Sequence, residues 1–263
     1  MANFPQSTRP EERFAFAVMG RTLGVVIICN DDGSQPAMVD GHFSLLDGRA
    51  GAVEVTTAAD QTAMQSEREI SKRRLSIPEL EWSWHVNIGP GVNLDELDRH
   101  LSQLLPECER QGVADPDSLL PTPGLTESYV WLHGHDVHIG ASPTTNYPGR
   151  IYLVPGTGDG GMVPDDLDGF PAWLREQLDT PRFASDLAKL RTSGRSEQHL
   201  FLRIHEMWMP FKFDALVAWS EVLPIEPFDP PEGLTGIWLA TRWKNPILWW
   251  SRDTGWRRTN EFD

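Results

Sequence analysis

The chain of 263 residues is poor in cysteine, in long apolar runs and in positive charge. Its two cysteines, Cys29 and Cys108, stand far apart with no CxxC pair, which excludes a disulfide framework and a cysteine-rich zinc site. The longest early apolar run, Val25 to Cys29, is far too short to span a bilayer, and the opening MANFPQSTRPEE lacks the apolar segment of a secretory leader. A cytoplasmic location with no membrane partner is therefore expected. With 23 basic and 38 acidic side chains the formal charge is −15, so most of the surface should repel phosphate backbones and anionic lipid. Nucleic acid could then bind only at a local basic patch or through metal ions. Internal repeats and low-complexity tracts are absent as well.

What is present points to a globular protein of many short elements. Hydrophobic residues make up 40% and charged residues 23%, ordinary values for a folded soluble chain. The length fits one large domain or two small ones. Beside 21 Pro and 22 Gly there are 11 Trp, most of them in the C-terminal half. So many punctuating residues break the chain often. Thr8-Arg9-Pro10-Glu11 has the threonine, first-turn proline and acid of a helix start, and predicts a helix over Pro10 to Leu23 with Glu11 in its cap. After Gly24, VVIIC reads as a buried strand, closed by the turn-rich Asn30 to Ser34.

Residues 38 to 56, MVDGHFSLLDGRAGAVEVT, carry the most information. Apolar and polar residues alternate on both sides of Asp47-Gly48, which predicts a β-hairpin. A three-residue loop, Leu46-Asp47-Gly48, with Gly48 left-handed would pair Leu45 with Arg49 and bring Asp40 opposite Glu54. Val39, Gly41, Phe43, Leu45, Val53 and Val55 then share one face, and Asp40, His42, Ser44, Glu54 and Thr56 the other. An even loop would mix apolar with polar residues, so the two-residue period itself selects the odd one.

Further on, residues 59 to 75 predict a helix with a polar and basic stripe of Gln61, Gln65, Arg68 and Lys72. Glu81 to Ile88 alternates as a strand, and Asn93 caps an amphipathic helix reaching Gln111. The order helix, strand, hairpin, helix, strand, helix is that of a mixed α/β core, expected over residues 1–114. Residues 115–263 are expected to form a Trp-rich α/β extension, a candidate second domain, with helices near Pro171 to Gln177 and Arg182 to Arg191. A buried strand is expected at HLFLRI, 199 to 204, and strand-like character from Gly236 to Trp256.

Two facing carboxylates on adjacent strands repel, and burial raises the pKa of at least one, so such a pair commonly holds a divalent ion. The alternative is that Asp40 and Glu54 are solvated residues on the open side of an antiparallel sheet. A helix with Glu11 or Glu12, Asp40 on one strand, Glu54-Val55-Thr56 on the next and then a helix resembles the restriction-endonuclease-like PD-(D/E)XK nuclease core. This resemblance covers roughly residues 8 to 90. It implies a mixed sheet flanked by helices, Mg2+ held by Asp40 and Glu54, and hydrolysis of phosphodiesters in DNA or RNA. The family's lysine, two positions after the glutamate, is replaced by Thr56, and its Pro-Asp dipeptide is absent. Some members carry the lysine on the following helix, where Lys72 or Arg68 could take its role, with Gln61 one turn nearer the strand. Glu11 is either a third metal ligand or only a helix cap.

Other readings stay open. A non-catalytic module that keeps the fold and binds a protein partner through its acidic surface fits the missing lysine and the negative charge. His133, His135 and His138 are similar to the HxHxDH signature of metallo-β-lactamase-like zinc hydrolases, although on one strand they would split across two faces. GTGDGG at 156 to 161 lacks the lysine ending of a phosphate loop and reads as a flexible loop. Trp238, Trp243, Trp249, Trp250 and Trp256 lie among Arg242, Lys244, Arg252, Arg257 and Arg258. That mixture suits either stacking on single-stranded bases or a strand core.

Overall fold

The computed structural model describes residues 8–30, 38–59, 61–89, 91–120, 124–135, 137–143, 146–155, 165–205, 208–241 and 246–260. In chain order the elements are α1 (Pro10–Leu23), β1 (Ile28–Cys29), β2 (Gly41–Ser44), β3 (Ala50–Ala58), α2 (Gln61–Lys72), β4 (Leu75–Ser76) and β5 (Ser83–Ile88). They continue as α3 (Leu94–Gln111), α4 (Thr126–Gly134), β6 (Val137–Ser142), β7 (Arg150–Pro155), α5 (Phe170–Leu178) and α6 (Pro181–Thr192). The last are β8 (Glu197–Ile204), α7 (Phe211–Trp219), β9 (Gly236–Ala240), β10 (Ile247–Ser251) and β11 (Gly255–Thr259). The protein is mixed α/β with two mixed sheets, and among the described residues no helix is long and apolar enough to cross a membrane.

The chain divides into two compact units, residues 1–58 with 161–263, and residues 59–160. The boundary is therefore not at residue 114. The helix at 61–72, the strand at 83–88 and the Asn93-capped helix, all expected in the same core as the hairpin, belong to the second unit. The Trp-rich C-terminal strands are no extension: β8 to β11 complete the hairpin's own sheet, ordered β1-β2-β3-β8-β9-β10-β11. Alternating polarity identifies a strand without naming its sheet, which is why the division did not show.

In the first unit β1, β2 and β3 run antiparallel, β3, β8 and β9 run parallel, and β10 and β11 close the far edge antiparallel. Parallel neighbours need crossovers, and the β8-to-β9 crossover carries α7. One face packs on α1: Ala15, Phe16, Val18 and Met19 meet Phe43, Val53, Val55, Phe201 and Trp238. The other lies under α5, α6 and α7, whose Leu174, Leu187, Leu190 and Val217 cluster with Ala52, Leu200, Leu202 and Leu239. Phe170 and Trp173, with Trp208, Phe213, Phe228 and Trp256, add an aromatic cluster on this second side.

The hairpin register is the expected one. Gly41 pairs with Val53 and Ser44 with Ala50, the Leu45 amide donates to the Arg49 carbonyl, and Gly48 is left-handed at φ 91°. Gly51 faces Phe43 across the ladder so closely that a Cβ there would lie 2.2 Å from the ring. Val39 departs from the expectation: it joins the cluster under α5 to α7, not that of Phe43 and Val53. VVIIC is not a buried strand either. Only Ile28–Cys29 pairs, at the sheet edge, with Ile27 buried and Val26 and Ile28 exposed. The helix at 10–23 has the expected limits, but its cap is shifted by one residue: Glu12, not Glu11, accepts from the Arg9 amide at 2.9 Å.

The second unit has a four-stranded sheet, β4-β7-β5-β6, with α3 and α4 packed on one face through Leu97, Leu101, Leu104 and Leu132. The Asn93 carboxamide caps α3 as expected, accepting from the amides of Asp95 and Glu96.

Candidate functional site

Asp40 and Glu54 lie in the first unit, on the hairpin face covered by α6. Because that face is covered, both are buried, at 1% and 2% exposure, and the solvated-face alternative does not hold. Extending the Gly41–Val53 register by one residue places Asp40 opposite Glu54. Asp40 Oδ2 accepts from the Val55 amide at 2.6 Å, and Oδ1 takes the Arg9 guanidinium at 3.3 Å. Glu54 Oε1 accepts from Lys189 Nζ, while Oε2 is buried with no hydrogen-bond partner among the described residues.

The electrostatics follow from this crowding. Burial pushes the Asp40 carboxyl up to about 6 and Glu12 pushes the same way, against the Val55 amide, Arg9 and Lys189. Burial and the repulsion of Asp40 push Glu54 up to about 8, although Lys189 opposes both. Three carboxylates, Asp40, Glu54 and Glu12, share two cations, Arg9 and Lys189, so the cluster is one positive charge short.

Lys189 was not among the expected residues. It reaches the site because α6 packs Phe183, Leu187 and Leu190 against the sheet, leaving Lys189 at the flank, mostly buried, over Glu54 of β3. It is 135 residues from Glu54 in sequence, so no local motif links the two. Glu12 was named only beside Glu11. It is buried on the first turn of α1, bound to Arg9, and raises Asp40. Glu11, expected as a third metal ligand, turns elsewhere and accepts from Arg203 Nη1 at 2.9 Å. Thr56, in the family's lysine slot, is half-buried on β3.

The other expected residues lie in the second unit. Gln61 opens α2, and Arg68 and Lys72 are exposed farther along it, so the cation on Glu54 comes from the first unit instead. The histidine run does not lie on one strand. His133 ends α4 and pairs with Asp117 at 3.1 Å, His135 caps the helix and stacks on Trp131, and His138 is on β6. Among the described residues no group of three or more His, Cys, Asp or Glu is arranged to hold a metal.

Of the tryptophan tail, Trp238, Trp249 and Trp250 are core side chains, with Trp238 stacked on Trp249 at 4.7 Å, and this corrects the base-stacking alternative for them. Arg258 is half-buried and donates to the carbonyls of Leu216, Val217 and Val222. Trp243, Arg242, Lys244 and the GTGDGG stretch lie outside the described residues. Comparison of the chain with protein-family models, curated proteins and solved structures finds no match in any of the three.

Proposed function

We propose that the first unit is a restriction-endonuclease-like nuclease centre and that the protein hydrolyses phosphodiesters in nucleic acid with the help of Mg2+. The observation that carries the reading is the buried pair Asp40 and Glu54 beside the half-buried Lys189, with Glu54 Oε2 left without a partner among the described residues. A buried carboxylate oxygen with nothing to bond is costly, and a divalent cation is the partner that would satisfy it. Mg2+ keeps several waters and needs only one or two protein carboxylates, so a pair of ligands suffices.

Asp40 and Glu54 would hold the ion, which when bound supplies Lewis-acid charge for the phosphate and lowers the pKa of water. The Val55 amide fixes Asp40 through Oδ2, leaving Oδ1 to Arg9 and the site. Lys189 orients Glu54 through Oε1 and keeps a proton at Nζ beside it, the cationic role that Thr56 cannot fill. Three features of the frame support the family reading. The antiparallel β2–β3 hairpin carries the acids, α1 lies on one face of the sheet, and β8, preceded by α6, runs parallel to β3.

The test is cleavage of single- and double-stranded DNA and RNA by chelator-treated protein, with and without Mg2+. Wild-type protein should cut only with metal, and Glu54→Ala should lose activity by about a hundredfold or more. Equal cleavage by Glu54→Ala, or none by the wild type, would sink the proposal and leave the acidic partner-binding module as the better reading.

A further inference from the structure

The second unit has a sheet face that the Asp40–Glu54 chemistry does not use. Trp84, Val86, Ile88, Val137 and Ile151 point from its strands into the core on α3 and α4. The alternate positions point away from that core: Arg150 and Tyr152 on β7, His85 on β5, Gly140 on β6. Tyr152 is the cross-strand neighbour of His85, and His85 of Gly140. Arg150, His85 and Gly140 are exposed and Tyr152 is half-buried. None of the four strands contains an Asp or Glu, in a chain with 38 of them. The strands of this face therefore contribute no carboxylate to it, as most strands of the first unit contribute none to theirs.

Its planar groups are already stacked. The His85 ring lies 5.2 Å from Tyr152 at an interplanar angle of 15°, and the Arg150 guanidinium sits 5.2 Å from the Tyr152 ring and 5.6 Å from that of Tyr147. Beyond His85 the ladder ends at Gly140, where an added Cβ would meet nothing within 4 Å. Arg150 and Arg74 have no carboxylate partner among the described residues, and together with Arg73 they line a cavity of about 320 Å3 beside Tyr152. Open planar stacks flanked by unpaired guanidinium groups are what unpaired bases and their phosphates fit.

We infer that this face binds single-stranded nucleic acid, a base extending the Arg150–Tyr152–His85 ladder over Gly140 while Arg150 and Arg74 meet phosphates. The inference deepens the nuclease reading by naming its substrate class, but binding at this face needs no metal and no catalysis. A duplex hides its base faces within its own stack and offers the ladder only phosphates.

The test is fluorescence anisotropy of labelled oligothymidylate and oligouridylate with the full chain, in EDTA and at low salt. Wild-type protein should bind single strands more tightly than a duplex of the same length. Arg150→Gln should weaken binding about fivefold or more and flatten the salt dependence by about one phosphate contact. Gly140→Val fills the open space with a residue suited to a strand, so it should weaken binding similarly without loss of thermal stability. Tyr152→Phe keeps the ring and should bind within about twofold of wild type. Absence of wild-type binding, unchanged affinity in both Arg150→Gln and Gly140→Val, or equal affinity for duplex would overturn the inference. Glu54→Ala should bind as wild type does. Binding without metal-dependent cleavage would defeat the nuclease reading alone, and cleavage without binding in EDTA would defeat this inference alone.

Discussion

Replacing Glu54 by glutamine should make the metal-free protein more stable at neutral pH, although Lys189 rests on the carboxyl that is replaced. The reasoning starts from burial: Glu54 is 2% exposed, and its carboxyl is raised from 4.5 to about 8, first by that burial and then by Asp40. Between these two values the folded chain keeps a proton that the unfolded chain has released. Stability is therefore fully present below about pH 4.5 and is lost as the pH rises toward 8, at about 1.4 kcal/mol per pH unit, or roughly 3 kcal/mol by pH 7. Asp40, raised from 3.8 to about 6, adds a second loss of the same sign that grows up to about pH 6 and stays constant above it.

Glutamine matches the protonated glutamate in size and does not titrate. Glu54→Gln should therefore be about 2–3 kcal/mol more stable than wild type at pH 7 and nearly equal to it at pH 4. In a chain of this length that difference raises Tm by roughly 5–10 °C. Thermal unfolding in chelator from pH 4 to 8 measures it: the wild-type Tm should fall across the range and that of the variant should fall less. Parallel curves would refute the premise that Glu54 is held in its acid form. Adding Mg2+ should raise the Tm of the wild type more than that of the variant, because only the carboxylate gains a partner.

The hairpin was legible because its information is local. Gly48 sets the loop, the loop sets the register, and the alternation of Phe43, Leu45, Val53 and Val55 against Asp40 and Glu54 leaves one consistent solution. The limits of α1 and α3 were legible for the same reason, since Pro10 and Gly24 bracket one and Asn93 and Gly112 the other. Lys189 was not legible. Its position depends on the parallel pairing of β3 with β8, and parallel ladders join segments far apart through backbone groups that every residue has. The apolar run HLFLRI did mark β8 as a buried strand, and a helix just before a buried parallel strand packs on its sheet, so α6 could have been searched for cations. Which carboxylate of Glu11-Glu12 turns inward could not be read either. The i+3 spacing from Thr8 favoured Glu11, whereas the helix is capped from Arg9 and buries Glu12.

Three further predictions bear on the first unit. Gly51→Ala would drive a Cβ to within 2.2 Å of the Phe43 ring, and should cost about 1–3 kcal/mol or more in urea unfolding as the aromatic leaves its rotamer. Arg258→Met should cost about 1–3 kcal/mol, since it strands the carbonyls of Leu216, Val217 and Val222 that the half-buried guanidinium now satisfies. Lys189→Met separates a positioning role in catalysis from a structural one. Without the ammonium Glu54 loses the strongest group opposing burial and Asp40, so its carboxyl rises further and the fall in stability with pH continues to more alkaline values than in wild type. The same loss leaves the two acids with less positive charge nearby, so Mg2+ measured by calorimetry should bind no more weakly above the new pKa. On the nuclease reading, cleavage under those conditions should still drop by about a hundredfold or more, because the cation that orients Glu54 is gone. Lys189→Arg, which restores the charge with a different shape, should recover part of the rate. A variant that keeps both its fold and its cleavage would show that Lys189 only balances the charge of Glu54, and the nuclease reading would lose its cation.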